Sequence, residues 1–479
     1  MSNNKAKLPD NFMWGGSSVP CQIEGAYLED GKGLAIEDCF GVGFAERFGP
    51  DIYLKDPKPD KFYPSHKAID FYHRYEEDIA LMKELGINSF RMGIAWTRFY
   101  PTGEEEEPNP KAFEYYDKVI DKLLEAGIEP IISIAGGIPM EIARKHKGFA
   151  SRITIDLYVK FAKTLFEHYK GKITHWLTHG EYNVVSYMPQ MSAGFELDRD
   201  NVDFQMLYQG IHNMAVAAAK VMNIAHEIDP NNKIGFGISA RQVYPATCKP
   251  EDILECVLNK RENIWLFTDV LARGYYPEYT LNFFDELGVK LDITEDDKKE
   301  IAACHPDMIG ITYYMTNLVK ANEEGHAIGN FSWGLPNPYL KETGWGWPID
   351  PLGLTSYLIE LYDRYHLPIV IEEIGLGDKD VLIKDENGNY TVDDDYRIDY
   401  HRQHIETLKL AFKYGVDVMA YCIWTITDVA SMSTGEMAKR YGLVYVDQDD
   451  YGNGTNNRYK KKSFEWFKKV IASNGEDLD

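Results

Sequence analysis

Short apolar runs recur along the chain, separated by stretches whose apolar positions repeat every three or four residues. The runs are Phe12–Val19, Ser89–Trp96, Glu129–Ala135 and His175–Glu181, then Lys233–Ser239, Met308–Tyr314, Pro368–Gly375 and Val418–Trp424. Their length and apolar content predict buried strands. Between them lie helical patterns such as Tyr75–Leu85, Phe113–Ala126 and Ile153–Tyr169. Eight buried strands alternating with helices predict an α/β fold with a closed parallel sheet, a (β/α)₈ TIM barrel. A doubly wound sheet would share the alternation, but no Gly-rich fingerprint follows the first strand. No low-complexity linker or repeat interrupts the chain, so residues 1–479 are read as a single barrel domain.

The polar residues that end these runs change the picture. Gln22, Arg91, Glu181, Tyr314, Glu373 and Trp424 all fall at or just beyond the C-terminal ends of predicted strands. Barrel enzymes place their chemistry on that rim. The chain has 75 acidic residues, so two glutamates are unremarkable by number alone. Glu181 and Glu373 differ because each closes an otherwise apolar strand, where a charge is costly without a purpose. Two carboxyls facing one site suit acetal cleavage, which needs one protonated and one ionised group across a sugar ring.

Composition narrows the alternatives. Hydrophobic residues at 44% and charged residues at 26% are ordinary for a globular protein. No apolar run approaches the roughly 18 residues that span a membrane. The N-terminus, MSNNKAKLPDNFMWGG, lacks the features of a signal peptide, so a cytoplasmic location is expected. The net charge of −24 argues against nucleic acid and anionic lipid surfaces as partners. An anionic substrate would have to be met by local cations. Six scattered cysteines (Cys21, Cys39, Cys248, Cys256, Cys304, Cys422) read as free buried thiols rather than disulfides or a metal site.

Over nearly its whole length the chain resembles glycoside hydrolase family 1. The resemblance is carried by FMWGGSSVPCQIEGAY, FRMGIAWTRFYPTGEEEEPN, WLTHGEYN, DVLARGYYPEY, DMIGITYYM, GWGWPIDPLGL, PIVIEEIGLG and STGEMAKRYGLVYVD, in that order. It implies Glu181 as acid/base and Glu373 as nucleophile, with Arg91 and Tyr314 keeping the nucleophile ionised. It also implies that Gln22, Trp345 and Trp424 contact substrate. Strand alternation is expected to turn the neighbouring Glu372 away from the face of Glu373, and the GLG after Ile374 fixes the register.

Beyond Trp424, family members acting on unphosphorylated sugars carry a glutamate where this chain has Ser431. Ser433, Lys439 and Tyr441 follow at the spacing of the family's 6-phospho-β-glucosidases. A hydroxyl, an ammonium and a phenol can share one phosphate through charge-assisted hydrogen bonds. Three positions depart from the family. Gly180 replaces an asparagine, Gly136 or Gly137 replaces a histidine, and Ile374 replaces a second asparagine, all expected near the sugar 2- and 3-hydroxyls. The two glycine sites are expected to open room for a substituent at C2 or C3. The reading is a 6-phospho-β-glycosidase that uses no metal or organic cofactor. Its partner is a small phosphorylated glycoside, and a homo-oligomer is compatible with it. The alternative is a catalytically weakened barrel that binds phosphosugars.

Overall fold

All eight predicted runs become strands of one closed parallel barrel. They are β1 (Met13–Ser18), β2 (Ser89–Gly93), β3 (Glu129–Ser133), β4 (His175–Leu177), β5 (Lys233–Pro245), β6 (Met308–Val319), β7 (Ile369–Ile374) and β8 (Val418–Ile423). Each pairs with its neighbours in sequence, and β1 closes the ring against β8. The computed structural model describes residues 7–48, 54–134, 136–198, 201–323, 325–328 and 332–479. Ala135, at the end of the third predicted run, lies outside the described residues.

A helix follows every strand: α1 (Phe71–Leu85), α2 (Pro110–Glu125), α3 (Ile153–His168), α4 (Phe204–Ile228), α5 (Pro250–Lys260), α6 (Pro351–Tyr365), α7 (Asp395–Lys413) and α8 (Lys462–Ala472). Where the sequence pattern starts α2 at Phe113, the helix begins three residues earlier. Pro110 opens it and the Asn109 side chain accepts the Lys111 amide at 3.1 Å, a start signal that lies outside the apolar repeat. No helix among the described residues is long and apolar enough to cross a membrane. The cysteines are free; Cys248 is exposed, against the expectation that all six are buried.

Strand alternation sorts the side chains into two layers. Ile369, Ile371 and Ile374 of β7 join the large core between barrel and helices. Val370 turns inward and packs with Ile131, Leu177, Met308, Ala420 and Cys422 to fill the barrel interior. Strands β5 and β6 run beyond their predicted ends and stay paired with each other to Pro245 and Val319, raising a wall above the rim.

The loop after β8 carries all four predicted anion contacts, Ser431, Ser433, Lys439 and Tyr441, and a buried ionic network ties it to the loop after β7. The fully buried Arg397 of α7 donates to the carbonyls of Leu376 and Tyr441, each at 3.0 Å, and pairs with Asp394 and Asp380. Lys461, also buried, bridges Asp380 and Asp428. Asp428 in turn accepts the Gly442 amide at 2.8 Å and pairs with Arg440.

Removing one member of a buried ionic set leaves its partners uncompensated. Lys461→Ala is therefore expected to destabilise the protein by about 3–5 kcal/mol, measured by urea unfolding. A loss below about 1 kcal/mol, the scale of a surface ion pair, would mean that the network does not hold the two loops.

Candidate active site

The inward face of β7 decides where the two glutamates at its end point. In a regular strand Val370 and Glu372 face in, and Glu373 faces out. The pairing is not regular here. Against β6, Ile311 pairs with Ile371 and Thr312 with Glu373, which leaves Glu372 as an extra residue. Against β8 the register also shifts between Tyr421 and Ile423. This is a β-bulge, a feature that re-aims side chains. It returns Glu373 to the interior beside Glu372, so the expectation that alternation separates them is corrected. Ile374 then faces the outer core and does not line the cavity.

Both carboxyls meet one cation. Arg91 of β2 donates from Nη1 to Oε1 of Glu373 at 3.0 Å, and its Nη2 stands 2.9 Å from Oε2 of Glu372. Tyr314 of β6 donates its hydroxyl to the other oxygen of Glu373 at 2.7 Å. Burial pushes the Glu373 carboxyl up to about 7, while Arg91 and the Tyr314 hydroxyl pull it down and Glu181 raises it. Burial pushes Glu372 up to about 8, against the pull of Arg91.

Glu181 lies just past β4, at the start of a short 3₁₀ turn over Tyr182–Ser186. Thr312 of β6 donates to its Oε1 at 2.6 Å. Glu181 and Glu373 both line a cavity of about 260 Å³, together with Gln22 and Trp424. Gln22 donates to the Ala430 carbonyl at 2.6 Å, and its own amide oxygen is buried without a hydrogen-bond partner among the described residues. One carboxyl clamped by a cation and a phenol, and a second held by a hydroxyl, can supply an anion and a proton donor to the same bound molecule.

Ser431, Ser433 and Tyr441 line the same cavity, with the two serine hydroxyls 3.0 Å apart. Lys439 is fully buried behind them. Its ammonium stands 3.9 Å from the Trp347 ring centre, 5.5 Å from that of Trp345 and 5.6 Å from that of Tyr441. Trp347, rather than the expected Trp345, lines the cavity. Burial pushes Lys439 down to about 7. Gly377 makes room for this cluster, since a Cβ there would lie 2.6 Å from Lys439 Cγ and 2.8 Å from Tyr441 Cζ.

The glycines expected to widen the site are close-approach positions. A Cβ on Gly180 would lie 2.8 Å from Arg91 Nη2, and one on Gly136 would lie 1.8 Å from the Ile94 carbonyl oxygen. Gly137 adopts a left-handed backbone, and a Cβ there would lie 3.1 Å from Oε2 of Glu37. Gly136, Gly137 and Gly180 all line the cavity, with the Arg91 guanidinium beside Gly180 and the Ile94 backbone beside Gly136.

Glu372, Thr312, Glu37 and Trp347 are site residues that sequence reasoning did not select. Thr312 was within reach, because it lies two residues before Tyr314 and shares its face. The buried Glu37 had no local signal; it stands in a short 3₁₀ turn, Ile36–Cys39, whose approach to the cavity is tertiary. No cluster of His, Cys, Asp and Glu suited to a metal ion occurs among the described residues.

The family model described as Glycosyl hydrolase family 1 matches residues 4–476. A 6-phospho-beta-glucosidase of Clostridium longisporum is 45% identical over 475 residues, 98% of each chain. The 6-phospho-beta-glucosidase AscB of Escherichia coli (strain K12) is 41% identical, over 98% of this chain and 99% of that one. Among solved structures, a family 1 b-glucosidase from Thermotoga maritima superposes with a TM-score of 0.83 at 29% identity, over 99% of this chain and all of that one.

The Tyr314 hydroxyl favours the ionised form of Glu373, so its removal must raise that pKa. Tyr314→Phe is expected to move the Glu373 titration, near 7 in the intact protein, upward by about 1 unit, the order of one charge-assisted hydrogen bond. Carbon-13 NMR of labelled glutamate carboxyls reads this directly. An unchanged titration would mean that the phenol does not stabilise the anion.

Proposed function

The chain belongs to glycosyl hydrolase family 1, and on that premise we propose that it is a retaining 6-phospho-β-glucosidase. Glu373 attacks the anomeric carbon while protonated Glu181 delivers its proton to the departing glycosidic oxygen. Water, deprotonated by Glu181, then cleaves the glycosyl–enzyme ester and frees the 6-phosphosugar. The observation that carries this reading is the Arg91–Glu373–Tyr314 clamp in the same cavity as Glu181.

The sugar phosphate is assigned to the other group of polar residues. Ser431, Ser433 and Tyr441 offer hydroxyl donors, and Lys439 supplies the charge. In a chain of net charge −24 the attraction has to be local. With its pKa lowered to about 7, Lys439 is partly neutral in the free protein at neutral pH. A bound dianion favours the ammonium, so phosphate binding takes up a proton and weakens as pH rises through about 7. Two named relatives act on 6-phospho-β-glucosides by their descriptions, which supports this substrate class. A sugar carrying a phosphate does not diffuse through a bilayer, which supports a cytoplasmic location.

Two measurements test the assignment. Lys439→Ala is expected to raise KM for an aryl 6-phospho-β-glucoside by about 10- to 100-fold, and for the unphosphorylated glucoside very little. Equal turnover of the two substrates by the intact protein would overturn the phosphate assignment. Glu373→Gln is expected to abolish turnover. Glu181→Gln is expected to spare the first step for leaving groups that need no proton, and equal losses on good and poor leaving groups would reverse the roles. Tight binding of a 6-phosphosugar with no turnover of any activated 6-phosphoglycoside would favour a binding protein instead.

A further inference from the structure

Glu372 is the most enclosed acidic group beside the site, and the barrel is hollowed to hold it. It is fully buried, and among the described residues neither carboxyl oxygen has an aligned hydrogen-bond donor. A Cβ on Gly237 of β5 would lie 2.1 Å from its Oε1, and one on Gly310 of β6 would lie 2.8 Å from the same atom. Two neighbouring strands thus carry no side chain where this carboxyl sits. The Gly180 carbonyl oxygen flanks the same spot, 2.0 Å from the Cβ position of Gly237. Among the described residues no backbone amide outside the regular elements donates to that carbonyl. A buried carboxylate facing a carbonyl oxygen would set two acceptors against each other. A carboxylic acid there supplies the missing proton.

We propose that Glu372 works as a neutral carboxylic acid and a positioning residue, its O–H donating to the Gly180 carbonyl while its neutrality leaves the Arg91 charge to Glu373. The proposal rests on the reading of Glu373 as nucleophile and Glu181 as acid/base. It gives Glu372 two effects. The O–H···O=C bond ties the β7 bulge to the residue preceding Glu181, which fixes one proposed catalytic carboxyl relative to the other. The neutral acid also avoids a second anion that would compete for one guanidinium.

The groups facing Glu372 agree with this. They are Arg91 from β2, Glu373 from its own strand, Glu181 from the end of β4 and the Cys422 thiol from β8. Burial pushes that thiol up to about 12, so it remains neutral. Strands β5 and β6 present glycines. Three carboxyls therefore share one cation, and only one needs to be ionised for the proposed attack. Glu372 is the least solvated of the three, and burial raises it to about 8. Above that pH its proton leaves to solvent, the contact with the Gly180 carbonyl becomes repulsive, and Arg91 is divided between two anions.

Glutamine is the informative replacement, because its amide can donate to Gly180 and present an oxygen to Arg91 without ionising. Infrared difference spectra of wild type against Glu372→Gln at neutral pH are expected to contain the carbonyl stretch of a buried protonated carboxyl, present only in wild type. On an aryl 6-phospho-β-glucoside, Glu372→Ala is expected to lower kcat by about 10- to 100-fold, the worth of a lost buried hydrogen bond, with KM little changed. Glu372→Gln is expected to restore most of that loss. The alkaline limb of kcat/KM, which carries the Lys439 ionisation in both proteins, should show one ionisation fewer in Glu372→Gln than in wild type. Absence of the infrared band would overturn the proposal, as would a Gln variant as impaired as the Ala variant. If wild type turns over no glycoside, the glycosidase reading fails, and the infrared comparison alone decides the state of Glu372.

Discussion

A single buried guanidinium sets the terms for the rest of this site. Arg91 stands within ion-pair distance of two adjacent carboxyls, both almost wholly removed from water. Desolvation alone drives each carboxyl toward its neutral form, and one cation cannot offset two anions at that depth. The protein resolves this by making the two glutamates unequal. Glu373 gains the Tyr314 hydroxyl and a face on the cavity, whereas Glu372 gains only enclosure among glycines. Arg91 and the Tyr314 hydroxyl thus favour the ionised form of the proposed nucleophile against the effect of burial.

The same constraint explains why the site needs a rigid scaffold. Arg91, Tyr314, Glu181 and Glu373 come from four different strands, and the contacts of Glu373 with Arg91 and Tyr314 near 3 Å tolerate little drift. Parallel pairing around the closed barrel fixes the strand ends, and the bulge in β7 adjusts one side chain within that frame. The loops beyond β7 and β8 lie outside the barrel's pairing and meet through a short antiparallel bridge between Asp378 and Arg440. There the buried set of Arg397, Lys461, Asp380 and Asp428 takes over and places the backbone of Leu376 and Tyr441. The proposed anion end is in this way built on the ionic network, and the proposed catalytic end on the barrel. Lys439 joins the two economies. It is a cation without the solvation of a surface lysine, packed over aromatic rings, so a bound anion is what would bring out its charge.

Much of this was legible in the chain. Short apolar runs located all eight strands, because burial on both faces of a parallel strand leaves an apolar run that needs no partner to be recognised. Glu181 and Glu373 stood out as charges ending such runs. The helix starts were less legible: Pro110 and Asn109 act through backbone geometry that apolar repeats do not register. Gly136 and Gly180 line the cavity, and the Ile94 carbonyl and the Arg91 guanidinium that crowd them are invisible in the chain. A sequence shows that a side chain is missing but not what has moved in beside it.

What the sequence determined by itself was the barrel, the rim on which polar residues gather, and the identity of the two glutamates, since each follows from local pattern or from motifs in order. Only the tertiary structure decided which way Glu372 and Glu373 point. Alternation predicts opposite faces, and the bulge that cancels it arises from the registers of β6 and β8 against β7, which no stretch of β7 alone encodes. The pocket for Glu372 is likewise assembled from Gly237 and Gly310, residues distant in sequence that adjoin only when the sheet closes. Local chemistry chose the residues, and non-local pairing set how they stand around Arg91.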